Sequence, residues 1–261
     1  KKIRSSSIIT IICIAYDRLV CFFRIKLTKG EASRIATKIY KNGFVQIDDF
    51  LSTKECNKLE KEFEKNISLS KIYENDYRIF GMQHISKTSK NMILNSSLID
   101  SVASMYCGQN YITETLMFGK ISYDGKINFG SGGGLHRDSF SNQLKAIIYL
   151  TDVTSKNGPF QYLSKSNNFL YLLRSIFKFK KKTRFDNDDH FSNLKSLDAK
   201  SGTLLIFDSR GLHKGKSLEE GYRLAATAYF INDTYHVPNN SISKLDNATF
   251  NSLNENVNIE V

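Results

Sequence analysis

Between residues 111 and 230 the chain repeats one pattern, strand-length apolar segments punctuated by glycine and asparagine turns. Y-I-T-E-T-L-M-F-G-K-I-S-Y-D (111–124) alternates over a long run, K-A-I-I-Y-L-T-D-V (145–153) follows, and N-G-P-F-Q-Y-L (157–163) opens on an Asn-Gly turn. G-T-L-L-I-F-D (202–208) and G-Y-R-L-A-A-T-A-Y-F (221–230) complete the set. Alternation turns one side of each strand toward a core, and short strands joined by turns cannot bury that side singly. The pattern predicts a closed or sandwiched antiparallel sheet. The 261 residues, 41% apolar and 12% aromatic, can fill one such core.

Helices come first in the chain. E-A-S-R-I-A-T-K-I-Y-K-N-G reads as a helix stopped by Gly43 and leads into the short strand F-V-Q-I-D-D-F. Ser52 and Glu55 form an S-x-x-E capping box that starts a helix running to about Asn66; Ser97 and Asp100 cap a third that stops at Gly108. The opening 26 residues place Ile8, Ile11, Ile12, Ala15, Leu19 and Phe22 at helical spacing around an interrupting Asp17-Arg18 pair. The apolar run is too short to span a bilayer and no small-residue cleavage site follows it. We expect an N-terminal amphipathic extension over residues 1–28, either packed on the domain or lying on a membrane through residues 5–26.

Chemistry concentrates in two places. G-S-G-G-G-L-H-R-D-S-F (130–140) spaces His136 and Asp138 two apart, so a strand would present both to one point while Arg137 faces away. G-T-L-L-I-F-D-S-R-G-L-H-K-G (202–215) reads as an apolar strand ending at His213, and Arg223 follows ten residues later. Two histidines and one carboxylate on one face of a metal leave positions open, the arrangement of non-haem Fe(II) oxygenases. A bidentate guanidinium at Arg223 suits the far carboxylate of 2-oxoglutarate. A zinc hydrolase could use the same three ligands but would leave Arg223 without a role.

The formal net charge of +11 admits nucleic acid, an anionic membrane, an anionic substrate or simply a lysine-rich background. The basic block F-K-F-K-K-K-T-R (177–184), between the two ligand-bearing segments, reads as a solvated helix end, a lid within an insertion near 168–200, or a nucleic-acid stripe. Nothing else resembles a nucleic-acid module, so none is expected as a partner. Cys13, Cys21, Cys56 and Cys107 show no paired spacing and point to reduced thiols in a cytoplasmic protein. His84, His190 and His236 lack a matching strand context and read as structural or surface residues.

Taken in order, the glycine loop, H-R-D, K-A-I-I-Y-L-T-D-V, N-G-P-F, G-T-L-L-I-F-D-S-R-G-L-H and Y-R resemble the phytanoyl-CoA dioxygenase-like family of Fe(II)/2-oxoglutarate oxygenases. The likeness begins at K-N-G-F-V-Q-I-D-D-F-L-S and covers roughly residues 30–232. It implies a mainly β fold with flanking helices, a double-stranded β-helix over residues 29–261, using Fe(II), 2-oxoglutarate and O2. It implies His136, Asp138 and His213 as catalytic metal ligands and Arg223 as the co-substrate arginine, with Lys120 a further candidate contact. Two positions depart from the family: Gly215 stands where a hydroxyl residue often helps hold the co-substrate, and K-S-N (165–167) replaces the usual G-S-H. Halogenating relatives lose the carboxylate that Asp138 retains, so the resemblance implies hydroxylation of a small-molecule substrate, expected from charge to be an anionic metabolite or a glycan or lipid precursor. The competing reading is a non-catalytic binding module on the same barrel.

Overall fold

The capping signals place the first helices correctly. In the computed structural model, which describes residues 7–125, 133–185, 191 and 194–232, α1 (Ser7–Leu27) and α2 (Glu31–Asn42) lead to β1 (Phe44–Ile47). Gly43 ends α2 in the left-handed region at φ 95°, where a side chain would also strike the Tyr162 ring. α3 (Thr53–Lys65) opens on the expected capping box: Ser52 Oγ accepts from the Glu55 N–H, and the Glu55 carboxylate accepts from the Ser52 N–H at 2.8 Å. The hairpin β2 (Lys71–Tyr73) and β3 (Asp76–Ile79) precedes two short turns, α4 (Met82–Ile85) and α5 (Lys87–Ser89). α6 (Ser97–Cys107) is capped one residue earlier than its sequence pattern indicates. Ser96 is extended and its Oγ accepts from the Ile99 N–H, whereas Ser97 is already helical.

Among the described residues, twelve antiparallel strands form two sheets. The remaining strands are β4 (Tyr111–Ser122), β5 (Leu135–His136), β6 (Gln143–Tyr149), β7 (Phe160–Leu163), β8 (Arg184–Phe185), β9 (Leu194–Leu197), β10 (Leu204–Asp208), β11 (His213–Gly215) and β12 (Tyr222–Asn232), with α7 (Phe169–Lys178) between β7 and β8. The major sheet runs β1-β10-β6-β12-β4-β3-β2 and the minor sheet β8-β5-β11-β7-β9. This is the expected jelly-roll, a mainly β double-stranded helix with helices on the outside.

Strand parity sorts the side chains into layers. On β6, β10 and β12, Leu144, Ala146, Ile148, Leu204, Ile206, Leu224, Ala226 and Ala228 face α2, α3 and α6 in the largest core cluster. Their alternates face the other sheet: Tyr149, Leu205 and Phe207 pack on Phe160, Tyr162 and Leu197. Tyr149 stitches the two layers together. Its hydroxyl donates to the Leu197 carbonyl at 3.1 Å and accepts from the Phe160 N–H at 2.9 Å.

Of the two placements expected for the N-terminal extension, α1 shows packing on the domain. α1 contributes Cys21 and Ile25 to the large cluster, and its Ile14 packs on Leu172 and Ile176 of α7. Asp17 and Arg18 lie buried beneath α1. Arg18 donates to the Asn167 carbonyl at 3.0 Å and the Tyr40 carbonyl at 3.2 Å. Burial raises the Asp17 carboxyl from 3.8 to about 6, with the Arg210 charge opposing that rise. A carboxyl whose folded pKa exceeds its unfolded value destabilises the fold when ionised, and that penalty disappears as pH falls through 6 toward 4. Asp17→Asn is expected to gain up to about 3 kcal/mol at pH 7 and almost nothing near pH 4, as read by urea unfolding at both pH values.

Candidate metal centre

The β11–β5 pairing sets His213 directly opposite His136. Cross-strand neighbours share a face, and the two imidazole centroids stand 4.5 Å apart. Asp138 lies in the bend just after β5, held by its N–H donating to the Ser209 carbonyl at 3.1 Å. Its Oδ1 is 3.9 Å from Nε2 of each histidine. One ligand atom from each of the three residues falls within 4.8 Å of the others.

The backbone fixes which nitrogen each histidine offers. His136 Nδ1 lies 2.8 Å from the Gly134 carbonyl and His213 Nδ1 lies 2.9 Å from the Gly211 carbonyl. Each Nδ1 therefore carries the proton, and each Nε2 lone pair is directed toward Asp138. Burial keeps both rings neutral, lowering the His213 pKa to about 3 and the His136 pKa below its usual value. His213 stacks at 7° on Tyr162, which in turn fills the space over Gly211. Any Cβ at Gly211 would overlap the Tyr162 hydroxyl, so the turn from β10 into β11 tolerates only glycine there.

Lys145 completes the cluster. Its ammonium on β6 reaches across from the major sheet to Asp138 Oδ2 at 2.7 Å and lies 4.6 Å above the Tyr229 ring. Burial opposes ionisation of Asp138, but the Lys145 ammonium beside it holds its carboxyl well below the usual carboxylate range. Oδ1 is the oxygen facing the two Nε2 atoms, so Asp138 turns one oxygen to the candidate metal position. Lys145 therefore orients a candidate ligand from outside the candidate set. Lys145→Met should lower Fe(II) affinity by about 10–100-fold, as measured by competition with a chromophoric chelator. No motif marks Lys145; its one sequence signal is a lysine inside the apolar run of β6, on the inward parity of Ile147 and Tyr149.

Arg223 enters the same interior from β12. Its guanidinium stands beside Gly215, where an added Cβ would meet Nη2 at 3.8 Å and Nη1 at 3.9 Å. Gly215 lies two residues beyond His213 on β11, on the same face. Burial depresses the Arg223 pKa, and the guanidinium makes no hydrogen bond or ion pair among the described residues. Half-buried and without a partner among the described residues, this cation calls for an anion. By contrast Arg78, on the inward face of β3, is already paired with Asp76 at 2.7 Å.

Lys120 does not join the cluster. Its partner Leu224 across β12 belongs to the helix-facing layer, and Lys120 shares that outer face. There it pairs with Glu64 of α3 at 2.6 Å and lies 4.7 Å above the Tyr222 ring. The expectation of a co-substrate contact from Lys120 is corrected by strand parity. His213 also begins β11 rather than ending the preceding strand: β10 stops at Asp208, and residues 209–212 cross to the other sheet. The basic block 177–184 forms the end of α7, a turn and edge strand β8 beside β5, so it is built into the minor sheet. Gly130, Ser131, Gly132, His190 and His236 lie outside the described residues, and His84 is exposed on α4.

The donor set suits a divalent iron: two neutral imidazoles and one ionised carboxylate on one side, with oriented Nε2 atoms. The family model for phytanoyl-CoA dioxygenase matches residues 39–219, a span that holds all three ligand candidates. The chain belongs to the phytanoyl-CoA dioxygenase family. The family's cofactors are Fe(II), 2-oxoglutarate and O2, and Arg223 lies just beyond the matched span. Among solved structures, the epimerase SnoN, in complex with Fe3+, alpha ketoglutarate and nogalamycin RO, superposes with a TM-score of 0.62 at 14% identity, covering 78% of this chain and 84% of SnoN. The carbocyclase SnoK from nogalamycin biosynthesis gives 0.61 at 15% identity over 78% and 87%. HygX from Streptomyces hygroscopicus, with nickel and 2-oxoglutarate bound, gives 0.60 at 18% over 77% and 87%. At these identities the likeness establishes the fold. No curated protein sequence matches the chain.

Proposed function

We propose that this member of the family is an Fe(II)- and 2-oxoglutarate-dependent hydroxylase acting on a C–H bond of a small anionic metabolite or a glycan or lipid precursor. The observation that carries the reading is the meeting of the His136, Asp138 and His213 cluster with the unpaired guanidinium of Arg223 in one interior. His136, Asp138 and His213 would hold the iron, and Arg223 would bind the distal carboxylate of 2-oxoglutarate. Bound there, iron with 2-oxoglutarate and O2 supplies an oxidant able to attack an unactivated C–H bond.

The chain's own residues do the positioning. Arg223 fixes one end of the co-substrate bidentately, and Gly215 leaves the space beside it open. Lys145 keeps Asp138 oriented, while the Phe160, Tyr162 and Phe207 rings around His213 exclude water. An anionic substrate is supported by the formal net charge of +11.

The structural neighbours include an epimerase and a carbocyclase, so product chemistry decides the reaction type. Screening anionic metabolites for coupled succinate release, then weighing the product made under labelled O2, should give a product heavier by one labelled oxygen. Succinate release with an unchanged product mass would contradict hydroxylation. Absence of succinate with every substrate class, despite bound iron and 2-oxoglutarate, would favour the binding-module reading.

A further inference from the structure

α1 carries apolar residues on both of its long sides, and its charged pair Asp17-Arg18 lies on the docked one. Its buried residues are Ile14, Asp17, Arg18, Cys21 and Ile25, which include its only carboxylate and an arginine. Ile8, Ile12, Tyr16, Leu19, Phe23 and Leu27 follow one another at spacings of three and four on the opposite side, and all six are exposed. Leu27 is 85% exposed and Ile8 69%. The stripe extends the length of the 21-residue helix, roughly 30 Å. Docking through Ile14, Cys21 and Ile25, with Arg18 bonded to the Tyr40 and Asn167 carbonyls, leaves a continuous apolar face outward, beyond what scattered surface hydrophobics would produce.

The surroundings specify the occupant. α7 packs beside α1 through Leu172 and Ile176, and Lys181 Nζ donates to Thr10 Oγ1 at 2.9 Å. α7 adds exposed Leu170 and Phe177 together with Arg174 and Lys178, and neither α7 nor the 177–184 block contains a carboxylate. Arg24 and Lys26 close the last turn of α1, and Lys1, Lys2 and Arg4 precede it in sequence. No described helix is long and apolar enough to cross a membrane. We propose that the outward face of α1, flanked by α7 and its lysines, lies on an anionic phospholipid surface, with the apolar stripe in the acyl boundary and the cations on the headgroups. Arg137 donates to Ser175 Oγ on α7 at 3.1 Å, so the strand bearing His136 is tied to the same surface element.

The test is co-sedimentation of the full chain with vesicles of phosphatidylcholine alone and with about a third phosphatidylserine. Binding is expected only to the anionic vesicles, weakening as salt rises. The double variant Leu19→Glu/Phe23→Glu should lower partitioning more than about tenfold while keeping the wild-type melting temperature, because both side chains are exposed. Lys178→Glu/Lys182→Glu should lower it through charge alone. Equal binding to both vesicle types, or failure of either double variant to weaken binding, would overturn the proposal. Concentration-dependent dimerisation without vesicle binding, abolished by Leu19→Glu/Phe23→Glu, would assign the face to a second copy of the chain and overturn it as well.

Discussion

His213→Ala is expected to end iron-dependent turnover, with succinate release falling by more than about a hundredfold, since an inner ligand contributes more than the outer partners whose loss costs about 10–100-fold. The imidazole holds one of three positions around the cluster, and its Nδ1 is engaged by the Gly211 carbonyl, so no neighbouring side chain can supply the missing Nε2. The same substitution removes a buried ring packed on Phe160, Phe207 and Tyr162. A loss of about 2 kcal/mol in stability should accompany it, well short of unfolding. His213→Gln separates the two effects because it refills much of the volume without restoring an imidazole. Near-normal stability with absent turnover in His213→Gln is the expected result, read by urea unfolding alongside the succinate assay.

The second large effect lies away from the metal. Asp208 is fully buried and accepts from Tyr106 Oη at 2.7 Å, Asn167 Nδ2 at 3.3 Å and three nitrogens of Arg210, including Nη2 at 2.8 Å. Burial would raise its pKa, but the Arg210 guanidinium holds it lower. Asp208→Ala removes the hydrogen-bonded partner of a buried guanidinium and leaves two donors unpaired, which should cost about 3–5 kcal/mol. Asp208→Ala/Arg210→Ala removes both charges and is expected to recover part of that loss. The network also begins the turn from Asp208 to Leu212 that delivers His213 to the minor sheet. Any Asp208→Ala protein that remains folded should therefore bind iron more weakly, an effect measurable in the same chelator competition used for Lys145→Met.

The meeting of His136, Asp138 and His213 was legible because it depends on order and parity, both carried by sequence. H-x-D and a later strand-borne histidine can meet once the strands antiparallel-pair, and the register of His213 with His136 realises that. Lys120 shows where parity fails. Both faces of β4 are apolar, with Leu116 and Phe118 toward the helices and Met117 and Ile121 inward, so alternation alone does not identify the side bearing the site. Lys145 was hidden for a related reason, since only the partner sheet reveals that its inward direction ends on Asp138. The stripe on α1 was visible, but which side docks is decided by Arg18 finding the Tyr40 and Asn167 carbonyls, contacts 22 and 149 residues away. Local periodicity carries no information about such partners.

The central claim is that one interior holds Fe(II) on His136, Asp138 and His213 and 2-oxoglutarate on Arg223. Anaerobic titration tests it directly, because a 2-oxo acid chelated to ferrous iron gives a visible charge-transfer band that neither component gives alone. The wild-type protein should develop the band at one iron and one 2-oxoglutarate per chain. His136→Ala should give none, and Arg223→Ala should need at least about tenfold more 2-oxoglutarate, the loss of one charge-assisted bidentate contact. A wild-type protein that shows no band with both ligands present, or a band that persists unchanged in His136→Ala, would contradict the assignment.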